Sequence, residues 1–267
     1  MIETRAFLFV LAAVAMLSAC GTGGGARSTP GVSDRPSADQ PVTTDARKRS
    51  RAHVELGTEY IRAGRLGVAM EEARIAIEED SSYAAAHQLK AMVHVYLDEQ
   101  KAAQESFERA LSLAPGDPEL ANSFGWFLCS NGQETRGLEL LVKSAQNPYY
   151  ENVTRPYTNA GLCYLRLKND DAARAQFVRA LAFDPNNGTA LYNLAEISYR
   201  KGETQKARDL VTQLNRVGDP TAASLWLVLR VERKLGNRDA EVAYLAQLKR
   251  RFPDSSEYQD YLQGRFD

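Results

Sequence analysis

The side chains with the most reactive chemistry in this sequence are three cysteines and three histidines. Two of the cysteines, Cys129 and Cys163, are 34 residues apart. Such a pair could form a disulfide, remain as two free thiols, or contribute to a zinc site. Zinc is the weakest of these possibilities, because no further histidine or cysteine stands nearby in a metal-ligand spacing. The sequence therefore predicts no metal site and leaves the disulfide and the free thiols open.

The histidines do not suggest catalysis. His53, His87 and His94 are expected to pack as substitutes for aromatic residues rather than to act as ligands or bases. No nucleophile elbow, zinc-protease motif, phosphate-binding loop or dinucleotide fingerprint occurs. A net charge of −1 argues against a nucleic-acid partner. We therefore expect a protein that is not an enzyme, with no cofactor, no small-molecule substrate and no nucleic acid.

An internal repeat must position these side chains, and its clearest copy spans residues 84–117. Ala91 and Ala103 stand at unit positions 8 and 20, Phe107 at position 24 and Pro115 at position 32. The small residues let two helices cross closely, the phenylalanine fills the gap beside the crossing, and the proline ends the second helix. Two short amphipathic helices cannot bury their apolar faces alone, so such a unit must stack on copies of itself.

Copies with the same marks begin at residues 50, 84, 118, 154, 188 and 222. This period resembles the tetratricopeptide repeat. The resemblance implies an all-α, right-handed superhelical solenoid of six helix-turn-helix repeats within residues 48–255. The expected repeats are 50–83, 84–117, 118–153, 154–187, 188–221 and 222–255. A capping residue followed by an early Glu257 predicts a capping helix and tail over residues 256–267, which would cover the open end of the stack.

The N-terminus has the pattern of a bacterial lipoprotein signal. Arg5 precedes an apolar run from Ala6 to Leu17, which is the length of a signal peptide and too short to span a membrane. The run ends in Leu17-Ser18-Ala19-Cys20, which is similar to a lipobox. The resemblance implies removal of residues 1–19 and lipidation of Cys20. An ordinary secretory signal with a coincidental cysteine is the alternative.

The residues after the cysteine predict where the chain is held. Gly21, rather than aspartate, follows Cys20, and in bacterial lipoproteins this resembles sorting to the outer membrane. The expected location is therefore the inner leaflet of the outer membrane, lipid-anchored and facing the periplasm. Residues 20–47 are rich in Gly, Ser, Thr, Pro and Asp, and they are expected to form a lipidated flexible tether.

The repeat resemblance also implies a binding surface, because the first helix of each tetratricopeptide unit lines the concave face. In the N-terminal half the groove positions carry Val54, Thr58, Ile61, Met92, Val95, Tyr96 and Trp126. In the C-terminal half they are rimmed by Arg166, Arg200, Arg230, Arg233 and Lys234. An exposed apolar patch usually marks a partner site, so the partner is expected in the N-terminal half. The alternative is that Val54, Ile61 and Val95 simply belong to the core.

The junction of the third and fourth units resembles a narrower family. It contains the segments Asn122–Cys129 (NSFGWFLC), Asn147–Tyr150 (NPYY) and Asn159–Cys163 (NAGLC), and Ser224–Leu227 follows later with Arg230. These segments look like those of the type IV pilus biogenesis and stability lipoproteins, the PilF/PilW family. The resemblance implies a pilotin, which binds the secretin subunit of the type IV pilus and supports its localisation and oligomer assembly.

Two other functions stay open on the sequence. One is a repeat scaffold lipoprotein of another envelope machine, such as barrel insertion, and the other is an adaptor of cell-wall hydrolases. The implied periplasmic location also bears on the cysteines, since Cys129 and Cys163 fall on adjacent first helices of the third and fourth units. In an oxidising compartment a disulfide between them is expected, and two free buried thiols are the alternative.

Overall fold

A computed structural model describes residues 34–266, and its regular secondary structure is helical throughout that range. The predicted signal peptide, Cys20 and the first part of the predicted tether lie outside the described residues. A short 3-10 helix, Ser37–Asp39, comes first. It is followed by α1 (Asp45–Arg62), α2 (Leu66–Glu79), α3 (Ala84–Tyr96), α4 (Gln100–Leu113), α5 (Pro118–Ser130), α6 (Glu134–Ala145), α7 (Thr154–Arg166), α8 (Asp170–Phe183), α9 (Gly188–Arg200), α10 (Thr204–Val217), α11 (Ala222–Lys234), α12 (Arg238–Arg251) and α13 (Ser256–Leu262).

The first twelve helices form six consecutive pairs, and the predicted all-α solenoid is confirmed. Each helix packs most extensively against the other member of its own pair. Every first helix also contacts the first helix of the next pair, whereas successive second helices make at most marginal contacts. The stack therefore curves around its first helices, which form the concave side. None of the helices within residues 34–266 is both long and apolar enough to cross a membrane.

Small residues at the helix crossings explain the tight pairing. Ala91 and Ala103 are completely buried where α3 crosses α4, and Phe107 is completely buried beside them. The ring of Phe107 stacks on that of Phe124 in the next pair, with 5.1 Å between centroids. Aromatic pairs at this distance add about 0.5–1.5 kcal/mol to the burial of their area. The repeat marks read from the sequence thus form the contacts within and between pairs.

The turn inside each pair places one residue in the left-handed region of backbone space. In four pairs of the described chain this residue is a glycine: Gly64, Gly132, Gly202 and Gly236, with φ between 70° and 79°. In the other two pairs it is Asp98, with a φ of 59°, and Lys168, with a φ of 56°. A side chain with a Cβ costs about 1–2 kcal/mol in this conformation, and glycine costs nothing there.

We expect Lys168→Gly to raise the free energy of unfolding by about 0.5–1 kcal/mol. Relief of the left-handed strain exceeds the extra entropy of glycine in the unfolded chain. Urea unfolding followed by circular dichroism measures the change. Gly202→Ala, at the same turn of the next pair, is the matched control and should lower stability by a similar amount. A Lys168→Gly protein no more stable than the parent would contradict the assignment of strain to this turn.

Both ends of the stack carry additional segments. At the C-terminus, Tyr258 and Tyr261 of α13 pack against a buried cluster that includes Leu225 and Leu248, so α13 covers the last pair as expected for a cap. At the N-terminus, part of the predicted tether is ordered. Ser37 is only 6% exposed, and both its backbone nitrogen and its Oγ donate to Oδ2 of Asp117. Local composition predicted a free chain there, but a buried carboxylate 80 residues away supplies the partner.

Candidate partner-binding groove

The N-terminal part of the concave side is built from α1, α3 and α5. Val54 and Ile61 of α1 are half-buried, and they pack against a cluster that contains Leu89 and Val93 of α3. Thr58 lies between them, and its Oγ1 donates to the carbonyl of Val54 at 2.8 Å. Val54 and Ile61 therefore line the seam between α1 and α3, and the hydroxyl group of Thr58 is satisfied within α1.

The seam between α3 and α5 carries the next predicted residues. Met92 and Val95 are half-buried against a cluster that contains Phe124 and Phe127 of α5. Tyr96, in contrast, is 58% exposed at the end of α3. Because an exposed aromatic side chain can be desolvated by a partner at little cost, Tyr96 is the part of this patch with the most apolar area left to bury.

Trp126 connects the groove to the cysteines. It is half-buried on α5 and packs against a cluster formed by Leu141, Ala160 and the two cysteines. Its indole therefore rests on the junction between the third and fourth pairs. Five of the seven predicted groove residues, including Trp126, are edges of core clusters that present part of their surface to the groove. Thr58 and the exposed Tyr96 complete the set.

Cys129 and Cys163 are joined as a disulfide in the structure, with 5.7 Å between their Cα atoms. Both residues are fully buried, on α5 and α7, and both sulfur atoms lie near the carbonyl oxygen of Glu134. A Cβ added to Gly137 would lie 2.6 Å from the carbonyl of Gly125 and 2.7 Å from Sγ of Cys129. The backbones of α5 and α6 thus meet directly beside the disulfide, and only glycine fits at that crossing.

The C-terminal half of the groove differs from its expected basic rim. Arg230 is only 9% exposed rather than free in solvent. Its guanidinium pairs with Glu196 of α9, at 2.6 Å between Nη2 and Oε1, and lies over the ring of Tyr199. Burying an unpaired cation is expensive, so this carboxylate and this aromatic face are what allow Arg230 to lie inside the concave surface.

The other cations of that expected rim also have partners. Arg166 donates to the carbonyl of Ser130, Arg200 pairs with Asp170, and Arg233 pairs with Glu241. Lys234 lies over the ring of Tyr199, 4.8 Å from its centroid. The C-terminal half is therefore a network of paired charges and aromatic rings rather than a strip of excess positive charge.

Tyr192 shows how tightly that network is packed. Its hydroxyl donates to Oε1 of Glu196 at 3.4 Å. Burial, followed by the negative charge of Glu196, raises the pKa of Tyr192 to about 12. The phenol of Tyr192 therefore stays neutral at every physiological pH.

The C-terminal tail fills the far end of the concave side. The ring of Phe266 lies 5.4 Å from that of Trp226, and the guanidinium of Arg233 lies 3.9 Å from the centroid of Phe266. Trp226 is only 7% exposed as a result of this packing and of its neighbours on α11. A partner would have to displace the tail to bind there, so the N-terminal half offers the more accessible surface.

The histidines take ordinary structural places. Nδ1 of His53 lies 2.6 Å from Oε2 of Glu72, and His94 pairs with Glu99 at the end of α3. His87 contacts the carbonyl of Ser81, and burial lowers its pKa. Among residues 34–266, no group of three or more histidine, cysteine, aspartate or glutamate side chains is placed to hold a metal ion.

Comparison with known proteins finds relatives both of the individual repeats and of most of the chain. A tetratricopeptide-repeat family model matches residues 84–117 and 154–187, and a second model of the same repeat matches 177–209. A relative named type IV pilus assembly protein PilF, from Pseudomonas aeruginosa, is 31% identical over 228 residues. That match covers 84% of this chain and 90% of the relative.

Two solved structures have the same architecture. One, from a functional characterisation of Pseudomonas aeruginosa PilF, superposes with a TM-score of 0.77 at 28% identity, covering 83% of this chain and all of that one. The other is PilW, described as a widely conserved type IV pilus biogenesis factor, with a TM-score of 0.73 at 30% identity. It covers 80% of this chain and 98% of its own. The similarity thus spans the whole stack rather than isolated repeats.

Proposed function

Because the chain belongs to the type IV pilus assembly family of PilF and PilW, we propose that it supports pilus biogenesis by binding the secretin subunit. In this proposal it is a lipoprotein of the outer membrane that faces the periplasm. It assists the localisation of the secretin and the assembly of its oligomer. Its action is binding, with no catalysis and no cofactor.

The observation that carries the proposal is the extent of the match to PilF. It covers nine-tenths of a relative whose name assigns it to type IV pilus assembly, at 31% identity. The structural match to PilW, whose description names pilus biogenesis, is of similar extent. A repeat solenoid alone would support only a general role in protein binding, since many tetratricopeptide proteins share that architecture.

The concave surface supplies a mechanism for binding. A segment of the secretin subunit would lie along α1, α3 and α5, where half-buried apolar side chains form the floor and Tyr96 projects at the edge. Exclusion of water from an aromatic anchor and its apolar surroundings is the usual origin of a binding hot spot. Because the floor residues are held by core packing, little ordering entropy would be lost on binding.

The lipid anchor supplies the address. Acyl chains on Cys20 would bury methylene groups at about 0.8 kcal/mol each, which makes attachment by several chains stable where one chain is marginal. A protein confined to the membrane surface meets a membrane-bound partner at a raised effective concentration. Groove affinity and anchoring therefore multiply, and loss of the anchor should weaken the function even where the groove is intact.

We expect Cys20→Ser to abolish lipid attachment. The variant should not incorporate labelled fatty acid, should leave the outer-membrane fraction, and should leave most secretin subunits unassembled. The lipobox resemblance implies transfer of diacylglycerol to the thiol of Cys20, and a serine hydroxyl does not replace the thiol in that step. Radiolabelled palmitate, density-gradient fractionation of membranes and the oligomer band of the secretin are the three measurements.

Substitutions of Gly21 provide matched controls. Gly21→Ser should behave as the parent, and Gly21→Asp should move a fully lipidated protein toward the inner membrane. Full pilus assembly and outer-membrane fractionation by the Cys20→Ser protein would contradict the anchor. Cross-linking of the lipidated protein in cells should capture the secretin subunit. Capture of a barrel-insertion factor or a cell-wall hydrolase in its place would contradict the assigned partner.

A further inference from the structure

The segment before α1 is bound along one edge of the solenoid. The backbone nitrogen and Oγ of Ser37 donate to Oδ2 of Asp117, at 2.7 Å and 2.6 Å. Nδ2 of Asn147 donates to the carbonyl of Asp34 at 2.8 Å. Asp117 precedes α5, and Asn147 precedes α7. The segment is therefore held at the turns that connect the second and third pairs and the third and fourth pairs.

The longer loop between α6 and α7 forms much of the receptor for this segment. Asn147 also donates to the carbonyl of Gly116, so its amide bridges the segment and the solenoid. The guanidinium of Arg35 lies over the ring of Tyr149, 5.4 Å from its centroid. The Asn-Pro-Tyr-Tyr motif lies outside the groove, and it thus has a structural role in binding residues 34–37. We call residues 34–37 the strap.

Asp117 gives the contact its chemical character. Its carboxylate is 1% exposed, and its other oxygen caps α5 by accepting from the backbone nitrogen of Leu120 at 3.0 Å. A buried carboxylate needs several donors, and Ser37 supplies two of them. The strap is therefore part of the hydrogen-bonding of the solenoid and not a chain that merely rests on its surface.

This binding moves the point from which the chain leaves the solenoid. Without the strap, the chain would depart from Asp45, at the start of α1 in the first pair. With the strap, the chain is held at least as far as Asp34, beside the loop that precedes α7 near the middle of the stack. Asp34 lies fourteen residues after Cys20, whereas Asp45 lies twenty-five residues after it. At about 3.6 Å per residue, the greatest possible reach falls from about 90 Å to about 50 Å.

We propose that the strap orients the solenoid, so that the edge formed by the turns between pairs faces the phospholipid surface. The inference rests on the lipidation of Cys20 in the proposed function. A short connection to the middle of one edge keeps that edge nearest the bilayer. A connection at Asp45 leaves from the same edge, because α1 is also a first helix, but it lies at the end of the stack and is almost twice as long, so it constrains the approach of that edge less. The opposite edge, which carries the turns inside the pairs, then faces the periplasm.

Two reporter positions test this orientation in the full lipidated protein, purified from membranes and reconstituted in phosphatidylethanolamine–phosphatidylglycerol vesicles with acceptor-labelled lipid. Asn152→Cys places a donor dye on an exposed residue of the loop before α7. Gln100→Cys places it on an exposed residue at the turn inside the second pair. The two edges are separated by the length of a first helix, about 20 Å for 13 residues at 1.5 Å each. Energy transfer to the lipid should be at least twofold more efficient from position 152.

Ser37→Asp releases the strap, because it sets a second carboxylate against Asp117 without altering the helices. The difference in transfer between the two reporters should then fall to less than half, and the amide of residue 37 should exchange with solvent at least tenfold faster. Ala38→Asp adds the same charge at the next, exposed residue and should behave as the parent. Circular dichroism checks that each variant keeps its helices.

The outcomes separate this inference from the function on which it rests. Equal transfer from both positions in protein that floats with the vesicles would overturn the orientation and leave the anchor intact. A difference in transfer that Ser37→Asp leaves unchanged would overturn the role of the strap. Protein with no acyl chain on Cys20 that fails to float would overturn the anchor, and the orientation with it.

Discussion

Replacement of both Cys129 and Cys163 by alanine should lower the free energy of unfolding by about 3–4 kcal/mol. The disulfide closes a loop of 34 residues, and in the chain-entropy model such a cross-link restricts the unfolded chain by about this amount. Both residues are fully buried, so the loss of two sulfur atoms adds a smaller packing cost. Urea unfolding of the mature repeat domain under non-reducing conditions measures the change.

Treatment with a reductant distinguishes the contribution of the disulfide to stability from that of side-chain packing. A reductant should destabilise the parent nearly as much as the double substitution does, and it should leave the double variant unchanged. Counting thiols in denatured, unreduced protein gives an independent result, and we expect none from Cys129 or Cys163. Two reactive thiols per chain, or a parent that is insensitive to reductant, would contradict a disulfide in the mature protein.

The repeat marks predicted the helices well because they record local packing needs. The expected units at 84, 118 and 154 coincide with the first residues of α3, α5 and α7. Small residues at a crossing and a proline beyond the second helix constrain the backbone within a few residues of themselves. The first helix is longer than its unit predicts. It begins at Asp45, five residues ahead of residue 50, because Thr44 caps it by accepting from the backbone nitrogen of Arg47.

The charge of Arg230, considered alone, predicts an exposed rim residue, whereas the structure buries it. Its partner, Glu196, lies 34 residues earlier and therefore at the same position of the preceding unit. Equivalent positions of adjacent first helices face each other across a seam, so opposite charges there indicate a pair. That signal was present in the sequence, and a comparison of unit positions between neighbouring repeats would have found it.

The strap could not be found in this way. The contact between Ser37 and Asp117 joins residues 80 apart, and one of them lies outside the repeats. No period relates them, and the composition around Ser37 predicts disorder. In the sequence, Asp117 is recognisable only as the capping residue of α5. Nothing there indicates that its carboxylate also accepts hydrogen bonds from Ser37.

For the groove, the sequence predicts which way a side chain faces but not how exposed it is. That Val54, Ile61 and Met92 face the seams between first helices follows from unit position. How much of each side chain remains exposed depends on the neighbouring helices, which sequence alone does not give. In the structure Tyr96 is the one large side chain of the predicted set that is mostly exposed, so its removal is the most direct test of binding.

Tyr96→Ala should weaken binding of the secretin subunit by about thirtyfold. An aromatic anchor that becomes desolvated in a complex can contribute over about 2 kcal/mol, and that free energy corresponds to this factor in affinity. Tyr96 is 58% exposed at the end of α3, so its removal should change the partner contact with little effect on the fold. Biolayer interferometry measures the dissociation constant, with the secretin subunit that was identified by cross-linking purified in detergent.

Phe183→Ala is the matched control for the loss of an exposed aromatic ring, since Phe183 is 60% exposed but lies on α8, a second helix. It should bind as the parent does. Lys234→Ala tests the C-terminal half and should alter mainly the salt dependence of binding, because a rim charge acts more on encounter than on the bound state. Trp126→Ala is a poorer probe, since its indole packs on the disulfide cluster and its loss would disturb the fold. If the Tyr96→Ala protein keeps its helices and binds normally while Lys234→Ala fails, the partner occupies the C-terminal half, and Phe266 must leave Trp226 for it to bind.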